Sequence, residues 1–384
     1  MPDVIIVGGG ITGTAAADAL AREGHAVTLI EMNAIAAMAS GRTLGGVRQS
    51  GRDPAELPLA RAAVALWAGL TDMLGVDVEY RQSGNLRLAR TPAEVEVIRA
   101  LVENQRARGL DLHFLPDNTA LRAIAPAISA KVLAASFCPT DGHANPVKAT
   151  RAFADSARRH RATIREGVGA IGIRVSRDRV VGVDTTVGFI AADRVIVATG
   201  VHTPALLGPL GIELPLSAKI VSVVQSKPMP PCLDQVFGVA NADCAGRQQV
   251  DGRFCFTGGL GEETADPERW TVESPAPSAD VIRDVVAVVG RVLPIACDAP
   301  IARTWSGLID LTPDALPVID APESVAGLIV AAGFSGHGFC LGPVSGLLCA
   351  DLVLGRTPRH HLAAFRLARF TESPNAATAL SLHG

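Results

Sequence analysis

The chain has 384 residues, 48% hydrophobic and 19% charged, an ordinary globular balance that argues against long disordered stretches. At roughly 100–200 residues per domain this suggests about two or three domains. A formal net charge of −3 supplies no basic field, which argues against nucleic acid and anionic membrane surfaces as partners. The seven cysteines, Cys138, Cys232, Cys244, Cys255, Cys297, Cys340 and Cys349, are odd in number and form no C-x-x-C pair. That pattern disfavours a disulfide framework and a local zinc or iron–sulfur site, so no metal is expected. The N-terminal residues carry no basic n-region, and no stretch approaches the roughly 18 apolar residues that span a bilayer. A soluble, cytoplasmic protein without signal peptide or membrane insertion is therefore expected. Tyr80 is the single tyrosine, which makes a catalytic tyrosine improbable.

In chain order, Asp3–Val7 is a short β-branched run that reads as a buried strand, followed by three glycines. An alanine-rich helical pattern covers 11–23 and stops at Gly24; a second strand, Ala26–Ile30, ends in Glu31. This β-α-β unit predicts a parallel sheet. Residues 54–74 read as one helix. Val78–Tyr80 and Asn85–Ala89 flank Gln82-Ser83-Gly84 and read as a hairpin. Helices are expected over 92–108 and 146–160, and strands over 171–175, 180–185 and 194–198. Residues 214–310 are strand- and turn-rich around one helical run, 278–292. A strand over 327–332 and an apolar helix over 341–354 close the pattern, and the tail after Arg359 is expected to fray. The expected fold is α/β: a Rossmann-like dinucleotide-binding domain with a parallel sheet (1–77, 139–205 and 305–384), interrupted by an antiparallel-sheet substrate domain (78–138 and 206–304).

Four motifs carry chemistry. In Gly8-x-Gly10-x-x-Gly13, Gly8 permits a tight strand-to-helix turn, Gly10 lets backbone meet a pyrophosphate, and Gly13 lets helix and strand approach. The helix N-terminus offers unpaired N–H groups to phosphate, and Glu31, at the end of the second strand, can accept hydrogen bonds from ribose hydroxyls. A lone glycine motif is only a turn; here strand, glycines, helix, strand and acid follow in order. The acid disfavours a 2′-phosphate, hence NADP. The second motif is an apolar strand ending in Ala198-Thr199-Gly200, whose small residues let a ligand pass over backbone. The third, Ser40–Arg48, sets glycines between Arg42 and Arg48, suiting backbone against a flat ring with arginine reaching an anion, although a surface loop would read alike. The fourth, Gly333-Phe-Ser-Gly-His-Gly-Phe339, leads into the last apolar helix, and its His337 is a candidate cofactor or substrate contact.

Together, in this order, the four elements resemble the D-amino-acid oxidase superfamily of FAD amine oxidoreductases, the group with glycine oxidase and sarcosine oxidase. Asp141-Gly-His-Ala-Asn-Pro146, Trp305-Ser-Gly-Leu308 with Thr312-Pro-Asp314, and Gly342-Pro-x-x-x-Gly346 extend the likeness over nearly the whole chain. Gly45-Gly-Val-Arg48-Gln49 and Gly336-His-Gly-Phe339 resemble the FAD-bearing β-type subunits of heteromeric bacterial dehydrogenases, such as those of opine oxidase, hydroxyproline or proline dehydrogenase and heteromeric sarcosine oxidase.

The resemblance implies FAD held by Gly8, Gly10, Ile11, Thr12, Gly13, Glu31, Arg42, Gly45, Gly46, Val47, Ala170, Ala198, Thr199, Gly200, Gly307, Gly333, Gly336, His337, Gly338 and Phe339. Gly307 stands where monomeric sarcosine oxidases carry a flavin-attaching cysteine, so the FAD is expected to be non-covalent. Ile309 and Gly336 stand where glycine oxidase carries arginines, leaving Arg48, Arg52 and Arg303 as candidates for the substrate carboxylate. His337 and Arg48 are the catalytic candidates. The oxygen-activating lysine of monomeric sarcosine oxidases is not evident near Thr257-Gly-Gly259, which favours a dehydrogenase. The implied reaction oxidises an amino-acid C–N bond, in an opine, hydroxyproline, proline or sarcosine, by hydride transfer to flavin N5 and hydrolysis of the imine. A partner subunit with a second flavin or an iron–sulfur cluster would take the electrons. The alternatives are a stand-alone glycine or D-amino-acid oxidase releasing peroxide, a flavin-binding subunit with a structural role only, and, least favoured, a nicotinamide dehydrogenase.

Overall fold

The computed structural model describes residues 3–261, 266–267, 270–271 and 276–372. The parts of the strand-rich segment at 262–265, 268–269 and 272–275, and the tail beyond 372, lie outside the described residues.

A six-stranded sheet runs in the order 318–320, 328–332, 195–197, 4–7, 27–31, 163–166. All neighbours are parallel except 318–320 against 328–332. Val4–Val7 and Leu328–Ala332 are buried at every residue, as continuous apolar strands covered on both faces must be. One face carries the helices Ile11–Arg22, Leu57–Ala68, Pro146–Arg159 and Gly338–Val353. The other packs on the small antiparallel sheet of 170–176, 179–185 and 188–191.

The second large sheet has eight strands in the order 301–311, 217–228, 253–258, 244–248, 236–239, 85–89, 134–138, 113–115. It is antiparallel except where 236–239 lies parallel to 85–89, the seam that joins the two separate chain segments. Its core gathers Leu86, Leu88, Phe237, Phe254 and Phe256 under the helix Ala279–Gly290.

The helix Gly338–Val353 is apolar all round and buried along nearly its whole length. It crosses Ile11–Arg22 through glycine: a Cβ on Gly346 would lie 2.6 Å from the Ala16 nitrogen, and one on Gly342 would collide with Ile11. This close approach brings the N-termini of both helices to the same cavity.

Several expectations need correction. Residues 78–84 do not form a hairpin with 85–89: Arg81 pairs with His143, Val78 accepts from the Asn145 N–H, and Asn85–Ala89 pairs with 134–138 and 236–239. The helix expected over 54–74 breaks at Gly69 and begins only at Leu57, with Pro58 in its first turn. The last helix starts at Gly338 rather than 341, so part of the glycine cluster is itself helical. The tail through Phe370 is packed: Phe365 is buried, and Arg369 pairs with Asp314 at 2.7 Å.

Candidate active site

One cavity of about 520 Å³ runs from the first glycine turn, past the small antiparallel sheet, to the glycine cluster before the last helix, with the eight-stranded sheet as its other wall. At the first end, Gly8 has φ of +113°, and a side chain there would strike the Ala198 carbonyl. Gly13 presses the helix against the Gly8 carbonyl, which leaves no space for a Cβ. Gly10 caps the helix in extended conformation with no side-chain hydrogen bond, and the Ile11 N–H donates to Ser40 Oγ at 3.0 Å. Glu31 accepts from the Gly9 N–H (2.6 Å) and the Asn33 N–H (2.8 Å), one on each oxygen. Burial raises its pKa, and those two donors oppose the shift. Each carboxylate oxygen retains a second lone pair for a ligand hydroxyl.

Along the middle, Ala170, Ala198, Thr199, Gly200, Gly46 and Gly307 present small residues to the cavity. Arg42 is anchored across the two sheets: its Nε donates to Ala37 O (3.1 Å) and its Nη1 to Ser306 O (2.8 Å), and Trp305 Nε1 donates to Arg42 O (2.9 Å).

At the far end, Gly336, His337, Gly338 and Phe339 line the cavity together with Arg48 and Arg52. His337 caps the last helix, and its Nδ1 lies 3.0 Å from both oxygens of Glu56. Both residues are buried, at 7% and 1% exposure. Burial, then Arg52, push the His337 pKa below its ordinary value, so the ring is neutral at neutral pH. Nδ1–H then donates to Glu56 and Nε2 is left as an acceptor. Burial alone would raise the Glu56 carboxyl, but His337, Arg52 and Arg48 outweigh it and hold the group below its usual range. With the histidine neutral, its Nδ1–H hydrogen bond and the two arginines supply that stabilisation.

Behind them sit Arg87, with its pKa pushed down to about 9 by burial and by Arg48 and Arg52, and Asp141. Arg48 is lowered to about 10 by burial and Arg52, and so remains a cation. Asp141 accepts from the Gln49 N–H at 2.8 Å, from the Ser50 N–H at 3.2 Å and from the Ser50 hydroxyl. Burial pushes its carboxyl upward, and these donors and Arg48 oppose the shift. Arg52 is 4% exposed. Its Nε donates to Arg48 O at 3.3 Å, but its Nη1 is buried without a hydrogen-bond partner.

The structure thus gathers Gly8, Gly10, Ile11, Thr12, Glu31, Arg42, Gly46, Arg48, Arg52, Ala170, Ala198, Thr199, Gly200, Gly307, Gly336, His337, Gly338 and Phe339 around one cavity. Gly13, Gly45, Val47 and Gly333 stand behind its wall. Val47 is core, paired with Gly142; Gly45 (φ +79°) and Gly333 (φ +69°) turn the chain, and the Gly333 N–H donates to Asp310 at 2.7 Å. Arg303 is exposed outside the lining, its guanidinium 5.1 Å from the Trp305 ring centroid, so it is not placed to hold a substrate in the cavity. Sequence reasoning missed Glu56, which reads as a solvent-facing acid of the helix expected over 54–74, and Asp310, whose carboxyl is raised to about 6 by burial. Ile309 and Gly336 are neighbours here and both line the cavity, so arginine is missing from that patch of wall, while Arg48 and Arg52 line the same cavity. Among the described residues no group of three metal-ligating side chains occurs, and no helix is long and apolar enough to cross a membrane.

The model of the DAO family, FAD-dependent oxidoreductases, matches residues 3–352. The chain is 29% identical over 381 residues to 4-methylaminobutanoate oxidase (formaldehyde-forming) of Paenarthrobacter nicotinovorans, with 97% of this chain covered but only 46% of that protein's length. It is 29% identical to glycine oxidase of Geobacillus kaustophilus (96% of this chain, 97% of that one). It is 26% identical to the beta subunit of sarcosine oxidase of Rhizobium meliloti (96% and 88%). Among solved structures, L-proline dehydrogenase from P. horikoshii superposes with a TM-score of 0.88 at 27% identity, covering 97% of this chain and 98% of that one.

Proposed function

Because the chain belongs to the DAO family of FAD-dependent oxidoreductases, we propose that it oxidises the C–N bond of a secondary-amine amino acid, such as an opine, hydroxyproline, proline or sarcosine. In this reading it is the catalytic subunit of a heteromeric dehydrogenase whose partner carries a second flavin or an iron–sulfur cluster. The observation that carries the reading is a single cavity with a glycine-capped helix start at one end and, at the other, a buried arginine whose Nη1 has no partner, beside a neutral histidine.

The residues present fit FAD. Gly8, Gly10 and the N-terminus of Ile11–Arg22 form a cradle that side chains would fill, Glu31 keeps lone pairs for ribose hydroxyls, and the small residues of the middle section leave room for a flat ring. No cysteine is among the cavity-lining residues, which supports non-covalent attachment. In the domain division that goes with this reading, 1–77, 139–205 and 305–384 hold FAD and 78–138 and 206–304 face the substrate, with strand Ile301–Leu311 running across the last border.

FAD, when bound, supplies a two-electron acceptor for the substrate α-C–H. Arg48 and Arg52 bind the substrate carboxylate and fix the orientation of the α-carbon, the positioning on which the rate depends. Nε2 of His337, held unprotonated while Nδ1–H donates to Glu56, accepts a hydrogen bond or a proton from the substrate amine. The apolar strands of the eight-stranded sheet exclude water from that end.

The Rhizobium meliloti relative is by name one subunit of an oxidase, which supports the heteromeric reading. The second reading, a stand-alone amino-acid oxidase, is supported by the 29% identity to a glycine oxidase. Peroxide release during turnover in air separates the two. A dehydrogenase turns over with an artificial electron acceptor and forms little peroxide; stoichiometric peroxide from the purified chain alone would establish the oxidase.

A further inference from the structure

The arginine end of the cavity has a charge balance that constrains its ligand. Arg48, Arg52 and Arg87 are buried cations. Facing them are Glu56, ionised beside the arginines, and Asp141, whose three hydrogen-bond donors suit a carboxylate. His337 is neutral. Three positive charges against two negative leave one surplus, and a proton on Asp141, which its burial favours, widens it. Arg52 Nη1 is the buried polar atom of this cluster with no partner. Arg247, the nearby buried cation, is engaged by Leu44 O, Ala144 O (3.1 Å) and His143 (2.9 Å) and does not line the cavity.

The opposite wall carries no charge to match. Strands 217–228, 236–239, 244–248 and 253–258 contribute Val221, Val223, Val236, Phe237, Ala245 and Thr257, plus one glycine, none of them ionisable, and strand 301–311 of the same sheet adds Asp310, an acid that offers a carboxylate no counter-charge. A carboxylate set against that wall would lose its hydration and gain no counter-charge, which costs far more than a poorly packed apolar group. Selectivity then comes as much from what the wall refuses as from what the arginines attract.

We infer that the chamber takes a substrate with one carboxylate, seated on Arg48 and Arg52, and an otherwise apolar body, and that it rejects dicarboxylic secondary amines. The inference rests on the proposed function, narrows it to amino acids of the proline or N-alkyl type, and removes the opines that carry a second acid.

The test compares three ring compounds that differ in carboxylate count, cyclopentanol, cyclopentanecarboxylate and cis-cyclopentane-1,3-dicarboxylate, titrated into the FAD-loaded protein. Binding is read from flavin absorbance and from thermal stabilisation of the protein, which does not need the flavin. The monocarboxylate is expected to bind at least ten-fold more tightly than either the alcohol or the diacid. Arg52→Gln is expected to weaken it ten-fold or more and leave the alcohol unchanged. A diacid that binds as well as the monoacid overturns the inference on the wild-type protein alone, whether or not the variant folds. An Arg52→Gln protein that keeps full monoacid affinity overturns the assignment of the anchor. Failure of the proposed function looks different: no flavin on the folded protein, or flavin that no amine reduces.

Discussion

Replacing Gly346 by alanine tests whether the crossing of two helices holds both ends of the cavity in place. The added Cβ would lie 2.6 Å from the Ala16 nitrogen, 2.7 Å from Ala15 Cβ and 2.8 Å from Ala15 C. Ordinary contact is about 3.5–4 Å, so Gly338–Val353 and Ile11–Arg22 must separate by about 1 Å, because two of the three obstacles are backbone. Overpacking of this kind costs about 1–3 kcal/mol. Alanine returns up to about 1 kcal/mol of helix propensity, so from the middle of the overpacking range, about 2 kcal/mol, the net loss is about 1–2 kcal/mol. At about 2–4 °C per kcal/mol for large domains, Tm falls by roughly 2–8 °C. The same separation moves the Gly10 helix start away from His337, so FAD dissociation is expected to rise several-fold. Thermal unfolding and flavin retention on dialysis read the two effects. Gly208→Ala, at an αR position where a Cβ meets nothing within 4 Å, is the control and should lower neither. An unchanged or raised Tm with full flavin retention in Gly346→Ala would refute the reasoning.

Three further outcomes are expected. Glu31→Ala removes the acceptor at the end of the second strand and should weaken FAD binding about ten-fold, close to 1.4 kcal/mol; equal affinity by equilibrium dialysis would mean the carboxylate only braces Gly9 and Asn33. Glu56→Gln leaves the buried arginines under-compensated and should lower stability by about 3 kcal/mol in denaturant unfolding, whereas an isolated surface acid would give no change. The Asp310 carboxyl, raised by burial to about 6 from an ordinary 3.8, binds its proton more tightly in the folded state. Its contribution is therefore fully present below pH 3.8 and is lost as pH rises to about 6. Asp310→Asn should remove up to about 3 kcal/mol of that slope, so the stability of the variant relative to the parent rises between pH 4 and 6. A difference that stays flat across that window contradicts the assignment.

The dinucleotide end was legible because its physics is local. Gly8, Gly10 and Gly13 act through the turn they make, and Glu31 follows at the end of the next strand, so sequence spacing carries the geometry. Arg48 and Arg52 were also found, since arginines among glycines stand out. The arginine cluster as a unit was not legible. Glu56 meets His337 across 281 residues of chain, and Arg87 reaches the cluster from a strand of the other sheet. No local pattern encodes such a meeting. Arg303 shows the opposite case: it is exposed, with its guanidinium over the ring of Trp305 two residues away, and sequence position alone does not tell an exposed arginine of a strand from a cavity-lining one. The hairpin expected around Gln82-Ser83-Gly84 failed because a turn signal fixes a bend but not which strand is paired after it.

The central claim is best tested by an anaerobic absorption titration of the purified protein with sarcosine, proline, hydroxyproline, an opine and glycine. The expected result is a flavin band that one of the secondary amines bleaches and that recolours slowly on admitting air. A folded protein that carries no flavin, or whose flavin no amine bleaches even with an electron-accepting partner subunit present, would contradict it.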